Sequence, residues 1–272
     1  MERDWCELSN KAFAAKKFLC VGLDPALDKR WPNALDHAKN NIVFNQEIFC
    51  KDIINSVGDI AGFLKPNWAF FLQYGQAGLF MLKNIIQHAN THFPDLAIIL
   101  DMKMGDIGDT NKAYVSLAFD ELGADAVTIH PYLGKQANLP FLNRADKGIF
   151  VLCHTSNPGA EEFQHQEVSG EPLYQVVARK VSEEWNDHDN CGLVVGATFP
   201  IAIVNARVEA PSLPFLIPGI GKQGGDLEQA IQGAVRKDGT GFIINSSSGI
   251  IYAENPRTAA LQLHNDILKA IT

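Results

Sequence analysis

Eight short apolar runs recur along the 272 residues, each ending in small or polar residues and each followed by a helical pattern. They are residues 18–24 (FLCVGLD), 60–66 (IAGFLKP), 96–101 (LAIILD), 125–130 (DAVTIH), 148–156 (GIFVLCHTS), 192–198 (GLVVGAT), 214–219 (PFLIPG) and 241–247 (GFIINSS). Most are too short for helices and rich in Val, Ile and Leu, as strands buried on both faces are. Amphipathic stretches lie between them, most clearly at 33–57, 74–90, 107–123, 225–239 and 255–271. Strand–helix alternation of this kind builds a parallel sheet with helical crossovers. Eight units in about 250 residues predict a closed (β/α)8 TIM barrel, one domain over 1–272. An open doubly wound sheet fits less well. No G-x-G-x-x-G follows the first run, which continues VGLDPALD. Polar residues also end nearly every run, where an open sheet would gather them at one switch point.

Composition narrows the function. The longest apolar runs are 96–100 and 148–153, against about 20 residues for a membrane span. The N-terminal MERDWCELSN lacks the apolar centre of a signal peptide, so a cytoplasmic protein is expected. A formal net charge of −8 argues against nucleic acid, which calls for a basic field, but leaves room for a small phosphorylated ligand. The five cysteines are odd in number and widely spaced, without a C-x-x-C, and read as reduced thiols. No His/Cys/Asp cluster has metal spacing, and no G-x-S-x-G elbow is present.

In a barrel the active site lies at the C-terminal strand ends. Those ends carry Asp24, Lys65, Asn67, Asp101, Lys103, His130, Thr155, Ser156, Thr198, Gly219, Gly221 and Ser246–Ser248. Any one of them alone is equally well explained by strand-end solvation. The third run is sharper: Asp101-Met-Lys103-Met-Gly-Asp106-Ile-Gly-Asp-Thr110. Residues two apart share a strand face. A lysine between carboxylates stays protonated, and a carboxylate beside it stays ionised. Such an array suits a reaction in which negative charge departs in a neutral molecule and a carbanion is left to be protonated. A plain strand-end salt bridge is the alternative. His130 and His154 read as structural. The segment 157–170 has the length of a lid. The glycines at 219, 221, 224 and 225 would let backbone N–H groups approach an anion ahead of a helix starting at Asp226.

These motifs resemble orotidine 5′-phosphate decarboxylase over nearly the whole chain, from FLCVGLDP to NSSSGIIYA, and look closest to its longer bacterial-type branch. The D-x-K-x-x-D-I-x-x-T run belongs to the wider superfamily. FLKPNWAFF (63–71), TSNPGA (155–160), GATFP (196–200) and PGIGKQGGD (218–226) narrow it. The resemblance implies cofactor-free and metal-free conversion of orotidine 5′-phosphate to uridine 5′-phosphate, the last step of pyrimidine nucleotide synthesis. It implies that Asp24 and Lys65 bind the ribose, with Asn67 beside them, and that Asp101 presses on the substrate carboxylate. Lys103 would protonate C6. Asp106 and Thr110 would complete the neighbouring site of a homodimer. Thr155 and Ser156 would contact the pyrimidine. Gln223, with backbone amides around Gly221 and Gly249, would reach the phosphate.

One position departs from the family pattern. Ser248, in Asn245-Ser-Ser-Ser248-Gly249, stands where an arginine that grips the phosphate is expected. Lys222 is a candidate replacement, with a solvent-facing loop lysine as the alternative, and Arg257 is a more distant one. Two other functions compete with the decarboxylase. One is a Mg²⁺-dependent sugar-phosphate decarboxylase or aldolase of the same superfamily. The other is a nucleotide-binding relative without activity, for which Ser248 is the support.

Overall fold

The computed structural model describes residues 3–26, 42–220 and 224–271. The strands are β1 (Leu19–Leu23), β2 (Phe63–Pro66), β3 (Ala97–Met104), β4 (Ala126–Ile129) and β5 (Gly148–His154), then β6 (Glu167–Val168), β7 (Glu171–Pro172), β8 (Cys191–Val195), β9 (Phe215–Ile217) and β10 (Phe242–Ser246). Eight close into a barrel in the order β1-β10-β9-β8-β5-β4-β3-β2, every neighbouring pair parallel. This is the expected (β/α)8 architecture. Every residue of β1, β2, β4, β8 and β9 is buried, because barrel strands meet side chains inside and helices outside. All five cysteines are unpaired thiols, four of them buried. Among the described residues no helix is long and apolar enough to cross a membrane.

Helices fall where the periodicity placed them, with shifted ends. They include Ile42–Val57, Gln76–His92, Leu227–Ala234 and Pro256–Ile271; residues 33–41 of the first predicted stretch lie outside the described residues. The 107–123 stretch is α-helical over Gly108–Val115 and widens into a π-helical turn over Ser116–Glu121. The 157–170 segment is not a bare loop. It holds a short helix, Glu161–Gln164, and the antiparallel β6–β7 ribbon begins in it.

The sequence reading assigned no role to the first helix, Trp5–Ala14. The Asp4 carboxylate accepts from the Glu7 N–H at 2.9 Å and caps it. Trp5 then seats against Phe63 and Phe150, ring centroids 5.9 and 5.4 Å away. Gly148 begins β5, and a Cβ there would lie 2.5 Å from the indole, so the close approach requires glycine. Since Phe63 and Gly148 open their strands, this helix plugs the N-terminal end of the barrel.

Arg207, on the helix Pro200–Glu209, fastens the same end. Its guanidinium donates to the carbonyls of Ala210, Leu213, Ala234 and Gly241 at 2.6–2.9 Å. It also lies 3.7 Å from the centre of the Phe215 ring, where a cation is attracted to the π face. With one end closed in this way, the polar strand ends open at the other.

Candidate active site

The irregular strand β3 organises the open end. Its pairing with β4 is regular through Leu100 and shifts before Met104. Within the shift Lys103 has φ +48°, a left-handed conformation costing a non-glycine residue about 1–3 kcal/mol. Thr128 on β4 holds this distortion. Its Oγ1 accepts from the Met102 and Lys103 N–H groups, each at 3.1 Å, and donates to Asp101 Oδ1 at 2.9 Å. A hydroxyl has one proton and two lone pairs, so Thr128 is fully used. Sequence reasoning missed it. The available signal was a lone hydroxyl inside the apolar run DAVTIH.

Two lysines meet on one carboxylate. Lys65 Nζ lies 2.6 Å from Asp101 Oδ2, each side chain 6% exposed. Lys103 Nζ contacts Asp101 Oδ1 from the open side, its side chain 46% exposed. Burial works against charge on Lys65, yet the Asp101 and Asp24 carboxylates outweigh it and hold the ammonium above the ordinary lysine range. Burial likewise works against the Asp101 carboxylate, yet Lys65 and Lys103 hold it well below the usual carboxylate range. The Lys65–Asp101 pair therefore stays ionised across neutral pH.

These groups line a cavity of about 840 Å³ together with Asp24, Asn67, Thr128, Thr155, Ser156, Asn157, Asn245, Ser246–Ser248 and Gly249. Asp24 follows β1. The Tyr252 hydroxyl pins its backbone by donating to the Asp24 carbonyl at 3.1 Å and accepting from the Ala26 N–H at 2.7 Å. Asp24 Oδ1 and Asn245 Oδ1 are buried without a hydrogen-bond partner among the described residues, which leaves two acceptors for a hydroxyl-bearing ligand. Asn245 was also missed, although it directly precedes the serines at the end of β10.

Nine of the expected site residues thus meet in one cavity: Asp24, Lys65, Asn67, Asp101, Lys103, Thr155, Ser156, Ser248 and Gly249. Asp106 and Thr110 do not line it. The buried Asn111 carboxamide fixes the chain there, accepting from the Asp106 N–H at 2.9 Å and donating to the Asp106 and Ala137 carbonyls at 2.6 and 2.7 Å. Thr110 and the neighbouring Ile107 are exposed. Gly221, Lys222 and Gln223 lie outside the described residues. Arg257 is no phosphate ligand as placed here: its guanidinium grips the Asp59 carboxylate at 2.7 and 2.8 Å.

Neither strand-end histidine lines the cavity. The His130 ring covers Gly105, where a Cβ would lie 2.4 Å from Nε2. His154 is buried away from the cavity, its Nε2 2.8 Å from His165 Nε2. Burial and the His165 ring push its pKa down to about 4. Among the described residues no three His, Cys, Asp or Glu side chains are grouped to hold a metal ion.

A sequence model of the orotidine 5′-phosphate decarboxylase / HUMPS family matches residues 17–263. This chain belongs to that family. An orotidine 5′-phosphate decarboxylase of Herpetosiphon aurantiacus is 45% identical over 244 residues, 89% of this chain and 86% of that protein. The structure of Leishmania donovani OMP decarboxylase superposes with a TM-score of 0.88 at 36% identity, covering 98% of both chains. That of Leishmania donovani UMP synthase gives 0.90 at 38%, covering 99% of this chain and 57% of the longer one. The family match spans all eight barrel strands.

Proposed function

We propose that Lys103 delivers a proton to C6 of orotidine 5′-phosphate as the substrate carboxylate leaves, with Asp101, itself anchored by Lys65, holding Lys103 in place. The chain decarboxylates orotidine 5′-phosphate to uridine 5′-phosphate, a carboxy-lyase reaction of pyrimidine biosynthesis. In the proposed course the C6–carboxylate bond breaks, its electron pair stays on C6, and carbon dioxide departs. The Lys103 ammonium donates to C6 and regains its proton from solvent. The observation that carries this reading is one buried carboxylate clasped by two lysines at the cavity wall. A substrate carboxylate beside Asp101 meets a like charge, whereas the carbanion that replaces it meets the Lys103 cation. The interaction therefore improves towards the transition state, as catalysis requires.

Asp24 and Asn67 are assigned to the ribose, and Thr155 and Ser156 to the pyrimidine. Gly221, Lys222, Gln223, Ser248 and Gly249 are assigned to the phosphate. The protein acts in the cytoplasm as a homodimer, without a metal or cofactor and without nucleic acid. The exposed position of Thr110 and the placing of Asp106 off its own cavity wall support a role for both at a partner's site. Mixing subunits tests this. Lys103→Ala and Asp106→Ala proteins should each be inactive, and subunit exchange between them should restore about a quarter of wild-type turnover, since half the dimers would carry one intact site. A mixture as inactive as its components would remove the shared-site assignment.

Ser248 lines the cavity beside Ser246, Ser247 and Gly249. Among the described residues lining it, Lys65 and Lys103 are the cations, and both are engaged by Asp101. Arginine offers phosphate a charged fork where serine offers one neutral hydrogen bond. Ser248→Arg should therefore tighten uridine 5′-phosphate binding by roughly tenfold or more, while uridine, lacking the phosphate, should bind unchanged. Calorimetric titration of both ligands checks this, and equal effects on both would contradict it.

A further inference from the structure

Two histidines stand together on the closed side of the barrel, away from the mouth. His88 and His92 lie four residues apart at the end of the helix Gln76–His92, so they share one face. Their ring centroids are 4.2 Å apart. From this helix end the chain turns into the start of β3 at Ala97, which puts the pair at the N-terminal end of the barrel. Neither residue lines the cavity, and the decarboxylation uses neither.

Each ring has one nitrogen committed. The His88 carbonyl can only accept, so His92 Nδ1, 2.9 Å from it, carries the proton. His92 Nε2 is then a bare lone pair. On the helix Ile42–Val57, Asn55 Oδ1 lies 2.8 Å from His88 Nε2 and likewise takes a proton, leaving His88 Nδ1 bare. A histidine tied through one nitrogen to a carbonyl oxygen presents the other to a metal ion. Burial, the His92 ring and Lys51 hold His88 below the ordinary histidine range, against the pull of Asp52, so the His88 ring is neutral near pH 7. Lys51 itself is paired with Glu47 at 2.6 Å. The C-terminal end of a helix adds a negative pole that favours a cation.

We propose that His88 and His92 form a two-histidine chelate for a borderline divalent transition ion, Cu²⁺, Ni²⁺ or Zn²⁺, with water completing its coordination. Imidazole suits these ions, whereas Mg²⁺ takes oxygen ligands. Histidines at this spacing on one helix face reach a common ion. His92 is exposed and His88 half-buried, so the ion enters from solvent and keeps open positions for water. Catalysis remains metal-free, because the ion binds at the end of the barrel opposite the cavity.

Calorimetric titration of tag-free protein with Ni²⁺, and with Mg²⁺ as control, tests the proposal in wild type, His88→Ala, His92→Ala and the double variant. Wild type should take up a single Ni²⁺ per chain and no Mg²⁺. Each substitution should weaken Ni²⁺ binding by at least about tenfold, since even an outer partner of a metal ligand is worth roughly 10–100-fold. The double variant should lose it. Turnover of orotidine 5′-phosphate should be the same in all four proteins, with or without Ni²⁺. Absence of saturable Ni²⁺ uptake by the wild type would overturn the proposal. So would uptake that survives in the double variant, which would place the ion on other side chains. Wild-type affinity in either single variant would equally overturn it, because a chelate needs both rings.

Discussion

Lys103→Ala will lower turnover of orotidine 5′-phosphate by at least about 10³-fold, the upper range for loss of a positioned proton donor, while uridine 5′-phosphate binds within about tenfold of wild type. The expectation follows from where the lysine sits. Its ammonium touches Asp101 from the open side of the cavity, whereas Lys65 approaches the same carboxylate from the buried side. Removing Lys103 leaves the buried Lys65–Asp101 pair with its 2.6 Å contact available, so the fold and the ribose end should persist. What is lost is the group facing the carbon that acquires charge. A fall in kcat with little change in product affinity marks an interaction made chiefly in the transition state. Steady-state rates beside calorimetric product binding provide the test. Comparable losses in both would identify Lys103 as a binding residue instead.

Asp101→Ala should cost stability as well as activity. It would strand the 6% exposed Lys65 side chain without its partner and leave the Thr128 hydroxyl without the acceptor it donates to. Breaking one side of a buried ion pair costs about 3–5 kcal/mol, which should lower Tm by about 10 °C in a chain of this size. The double variant Asp101→Ala with Lys65→Met removes the stranded charge and should recover much of the loss, still without activity. The pH dependence has a definite sign. Asp101 is held below its ordinary value, so its contribution is present above about pH 4 and is lost as acid protonates it. Lys65 is held above its ordinary value, so its contribution is present below about pH 10 and is lost as base removes the proton. Thermal melts of the wild type between these limits should show this contribution nearly constant.

Much of this was legible before any coordinates. Eight apolar runs became eight parallel strands because buried barrel strands need little more than short β-branched stretches followed by amphipathic helices. Eight of the nine cavity residues were named from strand ends, because a barrel presents those ends to one mouth, and Gly249 from the family resemblance. What escaped depended on contacts distant in sequence. Thr128 matters because β3 shifts register against β4, and nothing in DAVTIH announces a shift occurring 25 residues earlier. Trp5 plugs the barrel floor through residues far along the chain, against a glycine whose need appears only in the packing. The segment 157–170 read as a lid from its length, while its short helix and its grip on Thr155 come from Gln164 reaching back to the strand end. Asp106 and Thr110 stand apart from their own cavity because the chain leaves β3 through a turn clamped by Asn111. Spacing alone does not encode that direction.

The most direct test of the whole account is to follow loss of orotidine 5′-phosphate absorbance with purified protein, with and without a strong chelator. The account predicts rapid loss, unaffected by the chelator, with uridine 5′-phosphate formed in equal amount. No loss, or loss that the chelator abolishes, would contradict it and would favour a binding relative or a metal-dependent sugar-phosphate enzyme instead.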